Sequence, residues 1–159
     1  MGYSLQSLLR IRLMREDRAG GELTAARQAV MAAQEALKAR QDELAAYNQT
    51  REERRDRIYA TVMGRPVSRE QIDLVQEGVA RIDEEGALKA DNVVRAEGEL
   101  HARKDAENAA HAHFVAASKD RMKIEEHKAN WLIADAQEQE QHAESELEDF
   151  TGRKQVLDD

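Results

Sequence analysis

Cysteine is absent from this chain of 159 residues, so neither a disulfide framework nor a thiolate zinc site can be built from it. Aromatic residues are scarce: two Phe, three Tyr and one Trp, 4% of the chain, and the hydrophobic 41% is dominated by alanine. A thick globular core is excluded by that scarcity of large side chains. Proline occurs once and glycine eight times, so little in the chain interrupts a helix. No uncharged apolar run approaches the ~18–20 residues that a membrane span requires. The first 18 residues carry Arg10, Arg12, Arg15 and Arg18 with no apolar stretch of the kind a secretory leader needs. An excess of positive charge is missing too: 24 basic residues stand against 32 acidic ones, a net −8. Such a chain repels a phosphate backbone or an anionic membrane surface, so neither nucleic-acid binding nor membrane insertion is expected.

What is present is charge, 35% of residues, set among Ala, Glu, Gln, Arg and Leu. That is the composition of a long helix or coiled coil, where each helix buries only a narrow apolar stripe. Breakers cluster in one place, Gly64-Arg65-Pro66-Val67-Ser68. Pro66 lacks an amide proton and biases Arg65 away from helical geometry, while Gly64 suits a C-terminal cap. Ser68 with Gln71 three residues on reads as a capping box, and Glu70 and Asp73 complement the dipole of the helix that starts there.

Before the turn, Leu23, Ala26, Val30, Ala33, Leu37, Arg40, Leu44, Tyr47, Arg51, Arg54, Ile58 and Thr61 follow alternating steps of three and four. After it, the same spacing runs from Ile72, Val75, Val79, Ile82, Gly86, Lys89, Val93, Ala96, Leu100 and Arg103 through Glu107, Ala110, Phe114, Ala117, Arg121, Ile124 and Lys128 to Trp131. These are heptad seams, the second more polar and weaker than the first. Joined by a short turn, they predict an all-α fold: a long antiparallel two-helix coiled-coil hairpin, expected as a monomer. Helix 1 is expected over about 4–63, the turn over 64–68, helix 2 over about 69–150, and a short tail over 151–159. At 1.5 Å per residue the helices would measure roughly 90 and 120 Å.

With Pro66 as pivot, facing residues sum to about 133, which sets Tyr47 opposite Gly86, Ile58 opposite Val75, Leu23 opposite Ala110 and Leu9 opposite Ile124. Gly78 and Gly98 lie off the seam and have no partner in this scheme, and Gly20-Gly21 is expected to bend or fray helix 1. Residues beyond Trp131 have no counterpart in helix 1. That overhang carries seven acids between Asp135 and Asp149 and no Lys or Arg, yet keeps Ala136, Ala143, Leu147 and Phe150 at helical spacing. Charge divides accordingly: residues 1–64 hold 11 basic and 9 acidic side chains, so that half is +2 and the remainder −10.

Catalytic chemistry finds no footing. Three of the five histidines, His101, His111 and His142, form i,i+4 pairs with Glu97, Glu107 and Glu138, but the Glu-x-x-His spacing of helical di-iron sites does not occur. No nucleophile elbow or phosphate-cradling loop occurs, and two packed helices do not enclose a small-molecule pocket. The chain is read as non-enzymatic, with no metal and no cofactor.

The segments Leu8-Leu9-Arg10-Ile11-Arg12 and Arg15-Glu16-Asp17-Arg18-Ala19, the Gly64-Arg65-Pro66-Val67-Ser68 turn after Tyr59 to Met63, and Trp131 with the acidic run ending Glu146-Leu147-Glu148-Asp149-Phe150 together resemble the YscO family of type III secretion proteins, relatives of flagellar FliJ. The resemblance covers nearly the whole chain in order. It implies a central stalk in the bacterial cytoplasm, at the cytoplasmic face of the secretion apparatus. Such a stalk links the hexameric secretion ATPase to the cytoplasmic ring of the export gate, and export chaperones are raised as further partners. On that implication, Arg10, Arg12, Arg15, Arg18, Trp131, Leu147 and Phe150 form the ATPase-binding end. Tyr47, Arg54, Arg55, Tyr59, Arg65 and Arg69 form the export-gate end. The competing reading is a structural or adaptor coiled coil unrelated to secretion, dimerising through the weak second seam.

Overall fold

The computed structural model describes residues 2–157, with side chains described through Thr151. Two helices, α1 (Gln6–Ala60) and α2 (Arg69–Leu157), form an antiparallel helical hairpin. Neither helix contains proline. α1 stops short of residue 63 because the backbone tightens: Thr61 N donates to the Ile58 carbonyl at 3.2 Å and Val62 N to the Tyr59 carbonyl at 3.0 Å. These i→i+3 bonds close the last turn. Gly64 follows at φ +73°, the left-handed geometry that only glycine adopts without a Cβ penalty. The Arg65 side chain folds back and donates to the Thr61 carbonyl, 2.8 Å from Nε, satisfying an otherwise open helix end.

The α2 start matches its sequence signature. Ser68 N donates to Gln71 Oε1 at 2.9 Å and Gln71 N to Ser68 Oγ at 3.3 Å, the reciprocal pair of a capping box. At the other end α2 runs on through Leu157, so residues 151–157 are helical rather than a separate tail. Gly152 alone costs about 1 kcal/mol, which does not stop a helix without a proline or a cap. Residues 158 and 159, the rest of the expected tail, lie outside the described residues. Gly20-Gly21 neither breaks nor ends α1.

The chain divides into two compact units, residues 1–22 with 111–159 (unit 1) and residues 23–110 (unit 2). In unit 2 the buried apolar residues are Leu23, Val30, Ala33, Tyr47, Val75 and Ile82, all on the expected seams. Burying an aliphatic side chain of this size contributes about 1.5–3 kcal/mol, and the core is only one residue deep. Arg40, Thr61, Ile72 and Arg103, also expected on the seams, are exposed. The two arginines bond along their own helices instead, Arg40 to Glu43 at 3.1 Å and Arg103 to Glu99 at 2.7 Å. Hydration of a guanidinium outweighs what its aliphatic stem gains by lying on the seam there.

Unit 2 confirms the register. Tyr47 Cε1 would lie 3.1 Å from a Cβ placed on Gly86, and the Tyr47 hydroxyl donates to the Ile82 carbonyl. Gly78, which the sequence left unexplained, has a role of the same kind: a Cβ there would stand 3.1 Å from Ile58 Cδ1. Gly98 meets nothing within 4 Å, and nothing in the structure explains it.

In unit 1, Tyr3, Leu9 and Ala19 are buried, and Phe114, Ala117, Arg121, Ile124, Lys128 and Trp131 on α2 are half-buried. Gly20 faces Phe114, with a Cβ 3.5 Å from the ring, so one of the two unexplained glycines lies at a helix contact. Lys128 Nζ donates to Gln6 Oε1 at 2.9 Å, and Tyr3 packs on Trp131 with ring centroids 5.5 Å apart.

Candidate functional site

In a hairpin with so thin a core, the side chains left for partners are those its own seam does not use. Near the turn, in unit 2, that test removes several of the expected contact residues. Tyr47 is 6% exposed, with Arg54 5.4 Å above its ring and Lys89 5.8 Å from it. It is a core residue, and it leaves the surface set. Arg51 pairs with Asp83 at 2.6 Å and Arg54 with Glu85 at 3.0 Å, both across the hairpin. Their place on the seam is thus explained by folding: the stems cover apolar neighbours while the guanidinium groups find carboxylates on the opposite helix.

Arg55 and Tyr59 remain together on the surface. The hydrogen bond with Tyr59, and after it the charge of Asp83, holds the Arg55 guanidinium above its ordinary pKa. Tyr59 is 39% exposed, and Arg65 and Arg69 are exposed beside the turn. An open groove of about 320 Å³ lies next to them, floored by Ile58, Val62, Leu74, Val75 and Gly78, with Arg65 and Gln71 on its edge. Arg65 is the one arginine on the groove lining, and arginine and tyrosine, as in the Arg55–Tyr59 pair, are residue types that dominate interface energetics. Leu74, exposed on the groove, carried no signal in the sequence because it falls between seam positions.

Unit 1 holds the other set. Arg12 pairs with Asp120 at 2.9 Å, Arg18 with Glu22 at 3.1 Å on its own helix, while Arg10 and Arg15 are exposed. Trp131 is half-buried against Tyr3, whose hydroxyl shares a 2.8 Å hydrogen bond with His127 Nδ1. Arg12 and Trp131 therefore serve the hairpin first. Leu147 and Phe150 are each 66% exposed, and every residue from Ala136 to Thr151 is exposed. The overhang presents its apolar and acidic side chains without cover from α1.

Unit 1 also holds a charged layer that sequence spacing did not flag. Arg121, on the α2 seam, sits between Glu16 of α1 and Glu125 of α2. Hydrogen bonds from Arg121 and then Ser118 hold the Glu16 carboxyl below its ordinary pKa, and Glu16 in turn holds Arg121 above its own. A carboxylate depressed on folding adds stability that is present above its unfolded value of 4.5 and lost as pH falls through the lower folded value. Stability is therefore expected to fall on acidification below about pH 4.5. In Glu16→Gln that part of the decline should disappear, as urea midpoints measured between pH 3 and 7 would reveal; an unchanged acid limb would exclude Glu16 as its source.

The histidine pairs differ in part from their expected partners. His101 lies 3.5 Å from Asp105 rather than beside Glu97, and Glu107 pairs with Arg27 at 3.4 Å, while His142 stands 4.0 Å from Glu138. Among the described residues no group of three or more His, Asp or Glu could hold a metal ion, and no helix is long and apolar enough to cross a membrane.

Neither a curated protein nor a solved structure matches the chain. A family model does: that of the type III secretion protein YscO, over residues 5–153.

Proposed function

The chain belongs to the YscO family and is a component of a type III secretion system, and from that premise we propose that it acts as the central stalk between the hexameric secretion ATPase and the export gate. One observation carries the reading: the α2 overhang is helical through Leu157, yet residues 136–151 are exposed throughout, with Leu147 and Phe150 standing among acids. Exposed apolar side chains gathered on one helix face mark interaction sites, so the face that the overhang holds out is one prepared for a partner. In this proposal the ATPase is that partner, engaged by the overhang together with Arg10, Arg15 and Arg18. The export gate meets the Arg55, Tyr59, Arg65 and Arg69 surface. Export chaperones are further proposed partners on family membership alone. The protein works at the cytoplasmic face of the apparatus as a single copy, and it supplies contact rather than chemistry.

Truncation after Ala134 tests the ATPase assignment. Ellipticity should fall only by the share of the removed helix, and affinity for the purified cognate ATPase should weaken by at least about tenfold, or 1.4 kcal/mol. Undiminished binding by the shortened chain would reject it and favour the adaptor reading.

A further inference from the structure

Unit 1 carries two uncovered surfaces of opposite character. On α1, Arg10, Ile11, Met14, Arg15 and Arg18 occupy the outward side of the helix, with Ile11 46% and Met14 65% exposed. Positions 11, 14 and 18 follow the same three-and-four spacing as the buried seam, so they form a second stripe, apolar at its centre and basic at its margins. On α2, the overhang places Ala143, Leu147 and Phe150 on one stripe flanked by Glu140 and Glu146, with Glu144 farther round the helix. The two stripes are complementary in charge and alike in having an apolar centre. Their lengths are similar as well: at 1.5 Å per residue, residues 136–151 rise about 24 Å and residues 6–22 about 26 Å.

The overhang of a chain begins beside the N-terminal start of its own α1, so it projects away from its own arginine stripe. A second copy can present that stripe to it. We propose that free chains pair through unit 1 as a two-fold dimer, the acidic overhang of each copy lying along the Arg10–Arg18 stripe of the other. A two-fold arrangement uses each surface twice and leaves neither open, so the assembly closes at two copies. The same pairing would cover both surfaces through which the ATPase is proposed to bind. The dimer is then a resting form that exchanges with the engaged single copy. Attraction between the stripes is electrostatic at its margins, and its range shrinks from about 10 Å at 0.1 M salt to about 3 Å at 1 M.

The test uses the full-length chain without ATPase, so its outcome is independent of the stalk reading. Sedimentation velocity in 50 mM salt should show a species of twice 18.0 kDa that returns to 18.0 kDa in 1 M salt. Reversing one side, as Arg10→Glu with Arg15→Glu, should weaken self-association at least tenfold. Reversing the other, as Glu140→Lys with Glu146→Lys, should do the same. An equimolar mixture of the two variants should regain a 1:1 dimer, because each reversed stripe then meets a reversed partner; circular dichroism of each variant checks that the helices persist. A chain that stays at 18.0 kDa at 50 mM salt and high micromolar concentration overturns the proposal. So does a dimer that survives both reversals, or a mixture that stays monomeric while both variants are helical.

Discussion

Gly86→Leu is expected to destabilise the fold by roughly 1–3 kcal/mol, the usual cost of forcing extra methylenes into a filled layer. A Cβ at residue 86 alone would stand 3.1 Å from Tyr47 Cε1, tighter than ordinary contact. The ring has little freedom to yield: its hydroxyl is bonded to the Ile82 carbonyl, and Arg54 and Lys89 lie 5.4 and 5.8 Å from its centroid. Leucine, with three further carbons, would have to expel the ring or part the helices. Gly98 provides the internal control, since nothing lies within 4 Å of it. Gly98→Ala should stabilise by about 0.4–1 kcal/mol through helix propensity and a less disordered unfolded chain. Urea unfolding of the two variants beside wild type should thus give shifts of opposite sign. A Gly86→Leu midpoint equal to wild type would overturn the assignment of Tyr47 and Gly86 as a space-making pair.

Arg54→Glu with Arg55→Glu is expected to abolish export-gate binding, but the two positions contribute differently. Arg54 bonds to Glu85 and lies over Tyr47, so its reversal sets two carboxylates together and removes a cation–π contact. Half-exposed ion pairs and cation–π contacts are each worth about 0.5–1 kcal/mol, so that substitution lowers stability as well. Arg55 lies within ion-pair range of Glu52 on its own helix, 4.0 Å away, contacts Tyr59 and feels the charge of Asp83. Arg55→Glu alone should leave the unfolding midpoint within about 0.5 kcal/mol of wild type, as for most surface changes. In the proposed function it nonetheless removes the centre of the arginine–tyrosine surface, and gate affinity should drop by about 2 kcal/mol, the scale of a hot-spot residue. A titration of the gate's cytoplasmic domain against Arg55→Glu, run with thermal melts, separates partner contact from folding. Wild-type affinity in the single variant would remove the gate assignment from this surface.

The way Arg54 and Arg55 part company illustrates where sequence pattern reaches and where it stops. Arg54 lies on the seam and Arg55 directly beside it, and both were assigned to the export-gate end. Whether such a residue is free or paired depends on which carboxylate the opposite helix brings alongside, and Glu85 stands 31 positions away in the chain. Periodicity identifies the helix face and is silent about rotamers. Trp131 and Arg12 followed the same course, becoming contacts of unit 1 with Tyr3 and Asp120. Tyr3, the buried residue on which Trp131 packs, carried no signal because it precedes the first helical turn.

By itself the sequence determined the all-helical class, the turn and its caps, the register that sets Tyr47 against Gly86, the exposed acidic overhang and the resemblance that the YscO family match then established. These rest on short-range chemistry: the φ of proline and glycine, the reach of a serine to an amide three residues on, and a three-and-four period that leaves one face apolar. Only the tertiary structure decided which polar side chains are used up inside the hairpin. It joined Glu16 to Arg121, explained Gly20 and Gly78 by Phe114 and Ile58, and withdrew Tyr47 from the surface. The reason is physical: an ion pair or a filled gap depends on the three-dimensional approach of residues 20 to 108 positions apart, Ile58 and Gly78 at one extreme and Arg12 and Asp120 at the other, and the approach of two helices sets it.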